Sequence, residues 1–461
     1  MQKKIFILAA CLNIAFASFA QDYSLFGTHN KPSPIYNPGE SMEFTVKLLD
    51  GEKTVAGKKL KWTRTGDDGI TQNGEGVSTA EGFKITSSTN KPGFVRIYVT
   101  AWSEDGKPVN AKPNQQGQSK TIFFDGGACV APETLQGVPE PADFDAYWKK
   151  QKEILASVPL KVIEMKEVPG SDKVKAFDVK IACAGKMPVS GYLVMPKNAK
   201  EKSLPAEVSF LGYGVRGAYK NLDDGENKIL LNINAHGIEN GQPKAYYDNL
   251  KTLKDYAFNK EENANPDTCY FNGMFLRVMR ALEFVKSLPE WNGKDLYACG
   301  GSQGGLQALV ATGLDKDVTD CSAWSPWNCD LGRTELGRIV GGWYIAYTPA
   351  LNYYDPINHV KRANPKCKLF IISNLGDYVC PPSGVWIAYT NFPGPKAMEI
   401  RQGCEHGFTM KNYPKFKIRA NQPNKEYPSV HPIPAAERRG ITDGLSRPAG
   451  GPEIQKQELM Q

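Results

Sequence analysis

Metal-ligating patterns are missing from this sequence: no two cysteines stand at Cys-x-x-Cys spacing, and histidine is scarce, five in 461 residues. A zinc site needs several such ligands close together, so no metal is expected. Long hydrophobic runs are missing too. After the first 20 residues no segment approaches the ~20 apolar residues that a membrane-spanning helix requires, which argues against an integral membrane segment in the mature chain. Charge is nearly balanced, with 56 Lys and Arg against 49 Asp and Glu, and part of the +7 excess sits at Lys3, Lys4 and beyond Lys411. No basic stripe remains to suggest a nucleic-acid partner. Low-complexity tracts and collagen-like repeats are also absent.

What is present is the composition of a soluble globular protein, 41% hydrophobic and 10% aromatic. The length is too great for one ordinary core, so two domains plus tails are expected. Residues 1–20 have the form of a secretory signal peptide: Lys3 and Lys4, an apolar run from Ile5, and Ser18-Phe19-Ala20 before Gln21. Export to the periplasm or the medium follows as the expectation. Leu8-Ala9-Ala10-Cys11 also has the form of a lipoprotein signal, the minority reading because few apolar residues precede Cys11. Nine of the ten cysteines lie beyond Cys11, an odd number, so at least one should be unpaired.

Residues 21–126 read as a small all-β, immunoglobulin-like sandwich. Met42, Phe44, Val46 and Leu48, then Leu60 and Trp62, then Val95, Ile97 and Val99, alternate with polar residues at period two. Turn signals separate them at Asn37-Pro38-Gly39, Asp67-Asp68-Gly69 and Asn73-Gly74. The expected role of this module is structural, with carbohydrate binding as the alternative. Residues 130–410 read as a second, α/β domain. Continuous apolar stretches such as Ile229–Ile233 and Leu369–Ile372 suit strands buried on both faces, and Phe275, Val278, Met279, Leu282 and Val285 mark an amphipathic helix between strands. Residues 411–461, rich in Pro, Lys, Arg and Gly, read as a poorly ordered tail.

The chemistry centres on Gly300-Gly301-Ser302-Gln303-Gly304-Gly305, which follows a strand and precedes a helical stretch. A Gly-x-Ser-x-Gly elbow in that position exposes a nucleophile, Ser302, with Gly300 and Gly304 allowing the tight turn. The alternative is a serine N-cap in a glycine turn. In an α/β-hydrolase an acid and then a histidine must follow in the chain. Of the histidines downstream, His431 lies in the tail and His359 precedes a strand. His406 follows the strand-like Ala397–Arg401 and is the expected base. Asp377, after the strand Leu369–Ile372, is the expected acid, with Asp355 as runner-up. One oxyanion donor should be the backbone N–H of Gln303, and the second that of Tyr213, in the loop after the strand ending at Leu211. Trp324, Trp327 and Trp343 are candidates for the wall of a sugar site, core packing being the alternative. A histidine base predicts activity that falls on protonation, near its reference pKa of ~6.5.

Three segments carry a resemblance. The elbow, the preceding Arg277-Val278-Met279-Arg280-Ala281-Leu282, and Gly376-Asp377-Tyr378-Val379-Cys380-Pro381-Pro382-Ser383 resemble the acetyl xylan esterase and cephalosporin C deacetylase family of α/β-hydrolases. Asp143-Phe144-Asp145-Ala146-Tyr147-Trp148 and Pro393-Gly394-Pro395-Lys396 extend it over roughly residues 130–410. The resemblance implies removal of O-acetyl groups from carbohydrate, chiefly acetylated xylo-oligosaccharides, without metal or organic cofactor. It also implies Ser302, Asp377 and His406 as the triad, with Tyr213 and Gln303 at the oxyanion hole. The chain departs from the family at two points: His236-Gly237-Ile238 replaces Arg-Gly-Gln, and Glu405 precedes His406 where the family's glutamate follows its histidine. Both altered elements help hold the fold and the family's ring-shaped oligomer, which leaves oligomerisation open for this chain. The competing readings are a serine hydrolase for another acyl or peptide substrate, and a non-enzymatic glycan-binding protein on a hydrolase fold.

Overall fold

A computed structural model describes residues 21–113, 117 and 119–420. The expected signal peptide, His431 and most of the tail lie outside the described residues. The N-terminal strands form two sheets. One is built on Met42–Asp50, paired with Tyr23–His29, Lys53–Thr54 and Phe83–Ser87, and the other has the order Ile35–Tyr36, Phe123–Val130, Gly93–Trp102, Lys59–Gly66, Gln72–Val77. The period-two residues Phe44, Val46, Leu48, Val95, Ile97 and Val99 are all buried between them. Each removes apolar surface from water worth roughly 1.5–3 kcal/mol of transfer free energy.

The strand Phe123–Val130 runs straight across the expected boundary at 126, so Gly126-Gly127 is not a linker. The glycines are there for close approach: a Cβ at Gly127 would stand 2.2 Å from the Val95 carbonyl oxygen, and one at Gly126 2.1 Å from Gln402 Oε1. Phe94 and Cys129 of these strands belong to the same hydrophobic cluster as the α/β core.

That core surrounds a ten-stranded mixed sheet. Its six central strands run parallel in the order Ile229–Ile233, Leu204–Phe210, Trp291–Gly301, Asp320–Trp324, Lys368–Asn374, Lys396–Arg401. The strands Val162–Val168, Val174–Ile181 and Val189–Pro196 continue one edge antiparallel. The other edge corrects the expectation of a disordered tail from residue 411. Lys415–Ala420 pairs antiparallel with Lys396–Arg401, and Phe416 and Ile418 pack on the core. An alternating Lys-Phe-Lys-Ile-Arg-Ala stretch suits such an edge strand, apolar side in and cationic side out.

Helices cover the sheet. Tyr270–Ser287 buries Val278, Leu282 and Val285 against it, as the helical spacing requires, and Gln303–Leu314 buries Leu309 and Ala311. Open parallel sheets place ligands beyond the carboxyl ends of their strands. Here four of those ends, after Phe210, Gly301, Asn374 and Arg401, lead to Tyr213, Ser302, Asp377 and His406. The nine cysteines from Cys129 to Cys404 are all unpaired, eight of them buried.

Candidate active site

Ser302 sits between the strand Trp291–Gly301 and the helix Gln303–Leu314 with φ 55° and ψ −120°. A non-glycine residue held there costs about 1–3 kcal/mol, and its surroundings must fix it. They do so through the backbone: Ser302 N–H donates to the Trp324 carbonyl at 2.9 Å, and the Ser302 carbonyl accepts from Leu306 and Trp327 at 3.0 and 2.9 Å. Only glycine fits on either side. A Cβ at Gly304 would stand 2.1 Å from the Phe210 carbonyl oxygen, and one at Gly300 2.6 Å from the Gly304 carbonyl carbon. The result is a partly exposed hydroxyl at the positive end of a 12-residue helix, which favours negative charge.

Opposite it, His406 Nδ1 donates to Asp377 Oδ2 at 2.9 Å. Asp377 is fully buried, and its other oxygen accepts the N–H groups of Val379 and Cys380 at 3.1 and 2.8 Å. The carboxylate is therefore held as an acceptor, Nδ1 carries the proton, and the lone pair is left on Nε2. Burial alone would lower the basicity of His406; the charge and hydrogen bond of Asp377 and the charge of Glu405 outweigh it, so the imidazole pKa is raised. Cys380 adjoins all three, with its sulfur hydrogen-bonded to Ser302 and within 4.8 Å of the facing Asp377 and His406 ligand atoms. Asp377, Cys380 and His406 have the makeup of a metal-ligand trio. Burial, with the Asp377 charge adding to it, pushes the Cys380 thiol far up, and both Asp377 oxygens are occupied by donors. A protonated thiol and a committed carboxylate make a poor cation site. Among the described residues no hydrogen bond joins Ser302 Oγ to His406, a contact that commonly tightens only with substrate bound.

The third wall is the Gly212-Tyr213-Gly214 turn. A Cβ at Gly212 would lie 3.9 Å from Ser302 Cβ, so the turn stands directly beside Ser302. Among the described residues neither the Tyr213 nor the Gln303 backbone N–H has a protein acceptor. Tyr256 fastens their carriers together. Its ring stacks on Tyr213 at 4.2 Å, its hydroxyl donates to Gln303 Oε1 at 2.8 Å, and the same oxygen accepts Gly214 N–H at 3.0 Å. His236 lies behind, with Nε2 3.1 Å from the Gly214 carbonyl and Nδ1 2.6 Å from the Tyr270 hydroxyl. Since a carbonyl only accepts, Nε2 holds the proton and Tyr270 donates to Nδ1. Burial drives the His236 pKa down to about 4, keeping the ring neutral.

Residues 135–338 match the family model described as Acetyl xylan esterase (AXE1). The chain is 28% identical over 341 residues to the acetyl esterase Axe7A of Xylanibacter ruminicola, an alignment covering 70% of this chain and 73% of the relative. The acetyl xylan esterase from Paenibacillus sp. R4 superimposes with a TM-score of 0.51 at 25% identity, over 60% of this chain and 92% of that one. Over this span the α/β domain is similar to acetyl xylan esterases. The protein is accordingly a carboxylic ester hydrolase with the α/β-hydrolase fold.

In this esterase the other sequence candidates separate clearly. Asp355, the runner-up acid, caps a short helix through Ile357 N–H and also accepts from Asp330 and Leu331 N–H. It is a buried structural anchor. His359 is likewise buried, bonded to the Tyr353 carbonyl, and its pKa is driven down to about 3 by burial. Of the three tryptophans, Trp324 and Trp327 are core residues, 5% and 2% exposed, which corrects their reading as sugar-facing. Only Trp343 is partly exposed, and it meets the Tyr213 ring edge-on at 5.0 Å. Tyr256 was not singled out from sequence. Its one local signature is conformational: the flanking Asp255 and Ala257 have φ of 54° and 69°, which nothing in their residue types announces.

Proposed function

We propose that the esterase removes O-acetyl groups from exported-compartment carbohydrate, acetylated xylan or its oligosaccharides, by acyl transfer through Ser302. His406 Nε2 takes the Ser302 proton as Oγ attacks the acetyl carbonyl carbon. Asp377 keeps the imidazole in the productive tautomer and stabilises its cation. The Tyr213 and Gln303 N–H groups receive the oxyanion. The tetrahedral intermediate collapses, the sugar oxygen leaving with the proton returned by His406. Water then repeats the sequence on the acetyl-serine, releasing acetate. The observation that carries this reading is the 2.9 Å His406–Asp377 bond facing a serine held at φ 55°. The acetyl and sugar specificity rests on the family match and on the acetyl esterase relative, and Trp343 is the ring offered to a sugar face. Export rests on the signal-like first 20 residues, and no described helix is long and apolar enough to cross a membrane.

The test is acetate release from acetylated xylo-oligosaccharides and from p-nitrophenyl acetate, comparing wild type with Ser302→Ala. Release from both substrates, cut by ~10³-fold or more in the variant, is the expected outcome. Cleavage of the activated ester alone would move the natural substrate elsewhere, and full activity in Ser302→Ala would remove the serine from the mechanism.

A further inference from the structure

His406 stands on a segment held from two sides: on the hydrolase side the Cys404 carbonyl accepts Gly376 N–H at 3.1 Å and the Glu405 carbonyl accepts from Asn374 Nδ2 at 3.2 Å. Only two residue pairs, Cys404–Thr409 and Glu405–Phe408, close its hairpin. A two-stranded ribbon of that length has almost no stability of its own. Its remaining support comes from the N-terminal strands Gly93–Trp102 and Phe123–Val130. The buried Gln402 side chain pairs with the backbone of Gly127, accepting its N–H at 2.9 Å and donating to its carbonyl at 2.8 Å. Phe408 packs on Phe123 at 5.2 Å, and Met410 is buried in the core of the β domain.

The third attachment is charged, and it reaches both partners of the candidate triad. Arg96 donates to Asp125 from Nε at 2.8 Å and again from Nη2. Its guanidinium lies 4.4 Å over the ring of Tyr378, the residue after Asp377. The Asp125 carboxyl lies within reach of the side chain of Glu405, the residue before His406. The Asp125 backbone also fills the space beside Gly376, where a Cβ would stand 2.2 Å from its carbonyl oxygen. Asp125 is fully buried. A buried arginine–carboxylate pair is seldom the most stable filling for a site, and removing one member leaves the other uncompensated.

We propose that the N-terminal β domain is part of the catalytic apparatus: Arg96 and Asp125, through Glu405 and Tyr378, position His406 against Ser302. Both are positioning residues, since neither touches the reacting atoms. The assignment gives the β domain a task other than carbohydrate capture. It also accounts for a glutamate immediately before the catalytic histidine, one of the two departures from the family pattern, because that carboxyl is the link to Asp125. The inference rests on His406 being the base.

The experiment uses the full chain with Arg96→Met, Arg96→Lys, Glu405→Ala and His406→Ala, assayed on p-nitrophenyl acetate across pH, with thermal unfolding recorded for each. Arg96→Met should lower kcat by ~10-fold with KM little changed, and Arg96→Lys should recover much of the loss. Because the effect runs through the imidazole, Arg96→Met should cost nothing further in a His406→Ala background. A folded Arg96→Met with wild-type kcat and pH profile would overturn the proposal, and so would an equal loss with and without His406. Should Arg96→Met fail to fold, Glu405→Ala carries the test. Loss of that side chain should lower kcat with KM little changed and cost nothing further in the His406→Ala background, and an unchanged kcat counts against the proposal. Wild-type activity in His406→Ala would instead sink the triad reading, whatever Arg96 does.

Discussion

The two sides of the site are held in different ways. Ser302, its flanking glycines and Gln303 lie within five consecutive residues, and the elbow is fixed by backbone hydrogen bonds to the adjoining strand and helix. The histidine side is assembled from far away: Gln402 binds Gly127 across 275 positions of sequence, and Glu405 reaches Asp125. A proposed nucleophile whose strain is locked by its own strand–turn–helix unit needs little from the rest of the protein. A proposed base carried on a hairpin of two residue pairs also draws on contacts from the N-terminal strands. Substitutions should therefore act by different routes on the two sides, changing the reacting groups on one and their placement on the other.

The largest effect is expected at the junction of the two sides, Asp377. In Asp377→Asn the amide can still accept the Val379 and Cys380 N–H groups through its oxygen, but it then turns its NH₂ toward His406. That favours the wrong tautomer, with the proton on Nε2 and no base facing Ser302. The expected loss in kcat is ~10⁴-fold with the fold retained. Steady-state kinetics on p-nitrophenyl acetate measures it. A loss under tenfold would show that Asp377 does not orient the base.

Tyr256→Phe sharpens the comparison from the nucleophile side. It keeps the stack on Tyr213 and removes one oxygen, which strands the Gly214 N–H and Gln303 Oε1 together. Leaving such groups unpaired costs about 1–3 kcal/mol. Part of that cost should loosen the two proposed oxyanion donors, lowering kcat by about tenfold at little change in KM. If kcat holds while the melting temperature drops, Tyr256 supports the fold and leaves the oxyanion site alone.

The same division explains what could be read beforehand. The elbow was legible because its signal is local: glycines where a Cβ would collide, between a strand and a helix. The pairing of His406 with Asp377 followed from chain order and from strands ending just before them. The β domain was legible from alternation at Met42–Leu48 and Val95–Val99, but its last strand was cut at 126 because Gly126-Gly127 resembles a break in pattern. Those glycines admit Gln402, a contact no short sequence window contains. Tyr256 and Arg96 escaped notice for a related reason: a tyrosine in a polar loop and an arginine in an alternating strand are ordinary until their partners are known. The tryptophans erred the other way, since aromatic content after the elbow does not distinguish a wall from a core, and Trp324 and Trp327 are core.

The smallest effect concerns pH, and it separates the site from the frame around it. Asp377 and Glu405 hold His406 above the usual histidine value of ~6.5, so the acid limb of kcat/KM should have its midpoint above that value. The sequence alone placed it near 6.5. The frame titrates elsewhere. Burial lowers His29 and His236 to about 4 and His359 to about 3, so at these three sites the unfolded chain binds more protons than the folded one between pH ~6.5 and those values. In that window the three rings make stability fall as the pH falls, offset in part by Asp67 and Asp355, whose carboxyls burial raises to about 6 and about 7. Acidification should therefore act in two steps, a reversible loss of turnover as His406 gains its proton and only later a loss of structure. Activity and far-UV circular dichroism followed together from pH 8 to 4, each sample returned to pH 8, distinguish the steps. Activity that falls only together with ellipticity would mean that the base is not raised and that the frame, not His406, sets the acid limit.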